Sequence, residues 1–478
     1  MSWVRRSGVR LVYSTSLLAL MHGCGQSAPI WYGTGASSST AHGDGGNTGS
    51  SPAGGGSGDS TAGGEDGFAG NGSSTDGDEP TDGRPVGTEN YDCQPAQGEV
   101  PPLKLTELVG GLDEPIQVTH APSDDRLFIA QRDGKIMLYV DGALQETPFL
   151  DLADIVLSDD DADSYGYGDW ALGGIAFHPD YEQNGLFYVY YNTMPRNGYA
   201  VGDAILAEYS VSSDPNLADF DSERVLIHIE RDGHIDHHGG GLAFGGDQFL
   251  YLALGDGNSK SGDVQTADPD GNGQDPSTLL GSLLRIEPDM SGGYTSPADN
   301  LKSSLPEAAP EVWDYGLRNP FRISFDGCTG TLYMTDVGFE SFEEVNIELG
   351  GRGHNNYGWP IMEGPECEDD AGCDEDDLVL PAFSYPWLAE SKTTIIGGAV
   401  YRGSAIPALR GKYVYGDFLR NALSYFAFDE ASGVVSGQAD ISADLDYPAS
   451  PTCIANGVDG ELYVTSYTNG ALYRLDAE

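Results

Sequence analysis

Positive charge is scarce in this chain. Its 478 residues hold 23 lysines and arginines against 75 aspartates and glutamates, a formal net charge of −52. Such a balance repels phosphate backbones and anionic bilayers, which excludes nucleic acid and the membrane surface as main partners. The excess acid fits solubility in an extracytoplasmic or salty setting. Long apolar runs are missing too: the strongest, around Leu17, Leu18, Ala19 and Leu20, is too short for a permanent transmembrane helix. Only six cysteines are present, none in the paired CxxC spacing of a structural zinc site. The folded part also lacks HExxH, GxSxG and GxxxxGK[ST], which removes zincin, nucleophile-elbow and P-loop chemistry. What is abundant is glycine (67) with 27 prolines, a composition of turns and short strands.

Arg5, Arg6 and Arg10 precede the short apolar run, the pattern of an export signal over residues 1–24. It ends in LMHGC, which resembles a bacterial lipoprotein processing site with Cys24 as the lipidated residue; an ordinary cleaved signal is the alternative. Residues 25–90 are rich in Gly, Ser, Thr and Asp, and bury too little apolar surface to offset chain entropy, so a disordered linker is expected. About 65 such residues reach roughly 45 Å, enough for a tether. Membrane contact is then expected only through the lipid anchor, with the folded part outside the cytoplasm, anchored or secreted.

Export permits disulfides. Cys367 and Cys373 flank the acidic loop ECEDDAGCDEDD and are close enough to pair locally. Cys93 and Cys453 lie near the two ends of the folded part and could close it, leaving Cys328 free, but spacing leaves the connectivity open.

Residues 91–478 carry an internal repeat. Six times a turn rich in Gly, Asp or Asn leads into a short aromatic, β-branched strand: at Phe128 (DDRLFIAQ), Phe187 (NGLFYVYY), Tyr251 (DQFLYLAL), Tyr333 (TGTLYMTD), Tyr413 (RGKYVYGD) and Tyr463 (DGELYVTS). Spacings of 50 to 82 residues suit four-stranded blades with variable loops. The expected fold is all-β, a six-bladed β-propeller of antiparallel blades, which hides sheet edges by repetition.

Three stretches stand out for chemistry: DHHGGGLAFGGDQFLYLALGDG at 236–257, WDYGLRNPFRISFD at 313–326 and TDVGFESFEEVNIELGGRGHNNYGWP at 335–360. With GLDEPIQVTHAPSDDRLFIAQRDGKI, LGGIAFHPDYEQNGLFYVYYN and GGAVYRGSAIPALRGKYVYGDF, they resemble the soluble quinoprotein sugar dehydrogenases, the glucose/sorbosone dehydrogenase family, which use pyrroloquinoline quinone (PQQ) on a six-bladed propeller. Some relatives of that family, the hedgehog-interacting proteins, look like binding propellers without redox chemistry.

The resemblance implies that His237 is the general base for oxidation of a sugar or related alcohol, with Asp236 orienting its ring. His238, one register away, is the second choice and a substrate contact. Gly239, Gly240 and Gly241 are expected to let a flat cofactor approach backbone; the family usually carries a basic residue where Gly241 stands. PQQ bears three carboxylates, so Arg318, with Asn319 beside it, and Arg402 and Arg420 are implied as cofactor contacts. Lysine is common where Arg402 stands. Calcium is implied on the backbone carbonyls of Gly338 and Phe339. A second loop, Asp268, Asp270, Asn272 and Gly273, fits the first half of a calcium loop, but Leu279 stands where a bidentate Glu is needed; it is a weaker site or a polar turn. Asp169 falls near a substrate position, or in an exposed acidic loop. The expected partner is a small sugar, with an unidentified electron acceptor; the alternative is a non-catalytic surface propeller that binds a glycan or protein.

Overall fold

A computed structural model of the chain describes residues 87–478, except 89, 158–170, 232–235, 259–267, 269–270, 290–291, 369–371, 388–391, 443–444 and 446–449. The export signal, Cys24, nearly all of the 25–90 linker, Asp169 and Asp270 lie outside the described residues. Among those described, no helix is long and apolar enough to cross a membrane.

Each repeat found in the sequence is the second strand of a blade. The six are Leu127–Gln131, Leu186–Asn192, Leu250–Leu254, Leu332–Asp336, Lys412–Asp417 and Leu462–Ser466. Each pairs antiparallel with an inner strand: Pro115–Thr119, Leu172–Phe177, Leu242–Phe244, Pro320–Phe325, Ile395–Val400 and Pro451–Asn456. These second strands are covered on both faces by neighbouring blades, so they read as unbroken apolar runs: every residue of LFIAQ, LFYVYYN and LYLAL is buried. The aromatics meet between blades. Phe128 packs 4.4 Å from Phe177, Tyr251 5.1 Å from Phe325, and Tyr333 stacks on Tyr413 at 4.6 Å. Each such buried ring contributes on the order of 2 kcal/mol.

The ring closes by exchange of strands from the two ends of the propeller. Leu103–Gly110 supplies the outer strand of the blade that carries the C-terminus, with Leu103 opposite Ala477. Ahead of it the chain straps one end of the wheel: Thr88 donates to the Gly327 carbonyl at 2.9 Å, Asp92 N to the Arg402 carbonyl at 2.6 Å, and Asp92 pairs with Arg410 at 2.7 Å.

A disulfide fixes that strap, and it joins Cys93 to Cys328. The pairing of Cys93 with Cys453 is therefore overturned, and Cys453 is the free thiol among the described residues. The reason is position: Cys453 sits inside an inner strand, buried with Val118, Leu127 and Ile129, whereas Cys93 lies over the turn that bears Cys328. Cys367 and Cys373 bridge as the spacing suggested.

Candidate active site

All six inner strands begin at one end of the wheel, and the first residues of five of them ring an axial hollow with about 630 Å³ of space out to its mouth. Ile116, Leu172, Phe321, Ile396 and Thr452 line it, with His238, Gly239 and Asn319 on the segments that lead into two inner strands. The last residues of five inner strands surround a second cavity at the strapped end. Arg322 separates the two. It reaches across the axis to donate to the carbonyls of Ile116 at 3.0 Å and Gly173 at 3.4 Å.

His237 and His238 stand side by side with opposite chemistry. His237 is held at φ +52°, a strained conformation for a side-chain-bearing residue, while Arg231 Nη2 donates to the Asp236 carbonyl at 2.7 Å. Its Nδ1 lies 2.6 Å from Asp256 Oδ1. Asp256 Oδ2 accepts from Trp359 Nε1 at 2.8 Å, and Oδ1 also accepts from Asn258 N at 2.7 Å. Burial works to raise the Asp256 carboxyl, but His237 and Arg318 outweigh it and hold the group below its usual range. An ionised carboxylate only accepts, so His237 Nδ1 carries the proton and Nε2 keeps its lone pair. Burial first, then the Arg318 charge, lowers the His237 pKa, with Asp256 pulling the other way. The ring is neutral at pH 7. For His238 the order is reversed: Asn192 Nδ2, oriented by its own bond to the Gly202 carbonyl at 3.1 Å, donates to Nδ1 at 3.0 Å. His238 Nε2 then bears the proton.

Arg318 is anchored from two sides. Its backbone N donates to Asp336 Oδ2 at 2.9 Å, and Asn319 N to Oδ1 at 2.6 Å. Its Nη1 donates to the Val337 carbonyl at 2.8 Å, and its guanidinium stands over Phe339 and Trp359 at 5.6 and 5.5 Å. The Arg318 carbonyl accepts from Asp256 N at 2.8 Å, and Asn319 Oδ1 accepts from Gly239 N at 3.0 Å. One continuous network thus joins His237, Asp256, Arg318, Asn319 and the turn at Val337. In that turn the amides of Phe339, Glu340, Ser341 and Phe342 all donate to Glu363 Oε1 at 2.7 to 3.1 Å. Among the described residues the carbonyls of Gly338 and Phe339 accept no hydrogen bond.

The family description Glucose / Sorbosone dehydrogenase matches residues 112–474, most of the chain. The chain belongs to the glucose/sorbosone dehydrogenase family. HIPL1 protein of Arabidopsis thaliana is 28% identical over 408 residues, 71% of this chain and 56% of that protein. The human Hedgehog-interacting protein is 31% identical over 330 residues, 67% of this chain and 43% of the other. The chain thus spans about half the length of the curated relatives it matches. The PQQ-bound form of an aldose sugar dehydrogenase from Streptomyces coelicolor superposes with a TM-score of 0.59 at 20% identity, covering 80% of this chain and 99% of that one, a likeness of fold.

Within this glucose/sorbosone dehydrogenase fold, several residues singled out in the sequence come together and others do not. His237, His238, Arg318, Asn319 and the Gly338–Phe339 turn share one end of the wheel. Asp256 holds the His237 ring, whereas Asp236 acts on it through charge and its Oδ2 accepts from Asn258 Nδ2 at 3.3 Å. Burial raises the Asp236 pKa. Gly239 lines the hollow, and the glycines also serve close backbone packing. A Cβ on Gly241 would stand 2.8 Å from Ile323 N in the next blade, and one on Gly255 would stand 2.1 Å from the His237 carbonyl oxygen.

Arg402 lies at the opposite end, past the last residue of its inner strand, and is engaged by both oxygens of Asp326 at 2.7 and 2.5 Å. It joins two blades and does not reach the hollow. Arg420 is also outside the hollow: it lines a separate groove between two blades. Asp268 spends both carboxylate oxygens on the amides of Asn272 and Gly273, at 3.1 and 2.7 Å, and Asn272 Nδ2 donates to the Asp256 carbonyl at 2.8 Å. These bonds make the described part of the loop a polar turn that braces Asp256; burial, then the Asp256 charge, pushes Asp268 up to about 6.

Four site residues went unnoticed in the sequence. Asp256 and Trp359 stand within quoted motifs, but only folding brings them to His237. Arg322, inside an inner strand, and Arg132, in the turn after Leu127–Gln131, line the hollow from positions that read as ordinary.

Proposed function

We propose that this chain oxidises a sugar or related alcohol with PQQ and calcium, His237 acting as the base. The observation that carries the reading is the buried His237 Nδ1 on the Asp256 carboxylate, 2.6 Å apart and beside Arg318. That pairing leaves a neutral imidazole with its acceptor nitrogen at Nε2, suited to take the substrate's hydroxyl proton; Asp256 then stabilises the imidazolium.

The residues present fit the cofactor. The hollow has Arg132 and Arg322 on its wall and no carboxylate among its described lining, in a chain with three times more acid than base. Arg318 Nε and Arg322 Nε, both buried, have no acceptor among the described residues. Unspent buried guanidinium groups suit a flat tricarboxylate. Arg318, Asn319, Arg132 and Arg322 would hold it, and the open carbonyls of Gly338 and Phe339 would hold calcium. Bound PQQ supplies the two-electron oxidant, with calcium polarising it. His238, on the wall of the hollow, would contact the ligand, and burial first, then the Arg318 charge, keeps His237 deprotonated.

A second reading, a non-catalytic propeller that binds a glycan or protein, is favoured by the likeness to the Hedgehog-interacting protein. Adding PQQ and Ca²⁺ to the purified protein separates them. Uptake of the quinone, followed by dye reduction across a panel of aldoses, supports the oxidoreductase; no uptake supports the binder.

A further inference from the structure

Arg420, which the sequence assigned to the cofactor, marks a different place. Its turn runs from Asp417 to Asn421 and divides two depressions. Phe418 points into the axial hollow, whereas Asp417 and Arg420 line a groove between two blades. The groove encloses about 960 Å³ of space out to its mouth, more than the hollow. One wall is Phe383–Pro386, the outer strand of one blade; the other is formed by strands of the next, including Tyr415, Gln438 and Asp440.

The lining mixes aromatic rings with groups that donate and accept. Tyr385 donates to Asp417 Oδ2 at 2.8 Å and lies under the Arg420 guanidinium at 4.9 Å. Among the described residues Arg420 makes one side-chain hydrogen bond, from Nη2 to the Pro386 carbonyl at 2.9 Å, and its Nε stops 4.0 Å from Asp417 Oδ2. Most of its donor capacity is unspent. Gln438 and Asp440 are exposed at the rim. Two carboxylates against one guanidinium, in a chain of charge −52, disfavour an anionic ligand. A neutral, hydroxyl-rich ligand suits the rest: rings take its C–H faces, and Arg420 and Asp440 take its hydroxyls, with Gln438 beside them at the rim.

We infer that the groove is a subsite for a neutral oligosaccharide whose terminal unit enters the axial hollow across the 417–421 turn. This rests on the reading of the hollow as the sugar-oxidising end, and it changes the substrate class from a free monosaccharide to the end of a glycan chain. The blocking variant is Gln438→Trp, with Gln438→Ala as its size control; both change an exposed residue outside the oxidising machinery. Linear neutral gluco-, manno- and xylo-oligosaccharides of one to six units are titrated into the full chain by calorimetry, without cofactor, and then assayed with PQQ and Ca²⁺.

The expected result is an affinity gain of about tenfold between one and three units in at least one series, lost in Gln438→Trp and kept in Gln438→Ala. Equal affinity at every length in all three series overturns the inference, as does a gain that survives Gln438→Trp. Length-dependent binding with no sugar oxidised keeps the subsite and removes the oxidising reading; monosaccharide oxidation with no length effect does the reverse.

Discussion

Two arginines, Arg318 and Arg402, show how differently the two ends of this wheel use the same side chain. Both are buried, at 5% and 8% exposure, and each stands beside an inner strand. Arg402 meets one aspartate, Asp326, which engages its guanidinium with both oxygens, and the strap with its Cys93–Cys328 bridge closes over the same end. Arg318 has a backbone carbonyl and two aromatic faces, and its Nε lacks an acceptor among the described residues. An unmatched buried donor costs roughly 1–3 kcal/mol, so a fold tolerates it where something else is to satisfy it. By that measure the Arg402 guanidinium is matched within the fold, whereas Arg318 keeps a buried donor to spare among the described residues.

The sharpest break of that comparison is at the histidine. Asp256→Asn replaces the acceptor that fixes the His237 tautomer, and kcat should fall by about 10²–10⁴-fold with the quinone still bound. Asp236→Asn, which the sequence would have favoured as the damaging change, should cost less than about tenfold, because Asp236 acts on the ring by charge more weakly than Asp256 does. Single-turnover dye reduction on the two quinone-loaded variants reads the difference. Equal losses would return the orienting role to Asp236.

The opposite end should answer in stability and leave turnover alone. Arg402→Ala strands the buried Asp326 carboxylate and should destabilise the fold by about 3–5 kcal/mol, read from the urea midpoint, with the kcat of the folded fraction unchanged. A loss of quinone affinity in this variant would place Arg402 back among the cofactor contacts.

The architecture was legible because a propeller writes itself into every blade. A turn and an aromatic strand recur six times, and each recurrence became a second strand. Sites are written less evenly. His237, Arg318 and the Gly338–Phe339 turn sit in long ordered motifs, so a resemblance finds them. Asp256 follows a strand nineteen residues after His237, and only the antiparallel return of Leu250–Leu254 beside Leu242–Phe244 brings it back to the ring. Arg402 misled because sequence order does not say at which end of a strand a residue emerges. Cys93 and Cys453 misled in the same way, both near chain ends but on different surfaces of the ring.

The finest test asks whether Arg318 governs the proton affinity of His237. Burial and the Arg318 charge both lower the histidine's pKa, so the folded protein binds fewer protons than the unfolded chain below about pH 6.5. This group's stabilising contribution is therefore full above that pH and lost as pH falls toward the depressed folded value. Arg318→Gln removes the charge and keeps a polar side chain. The His237 pKa should rise, by about one unit if the charge contributes about 1.4 kcal/mol. The acid limb of kcat against pH, which requires the neutral imidazole, should then move to higher pH by the same amount. Arg402→Gln, at the other end of the wheel, should leave that limb in place. An unmoved limb in Arg318→Gln would mean that burial alone sets the base, and that Arg318 serves the ligand only.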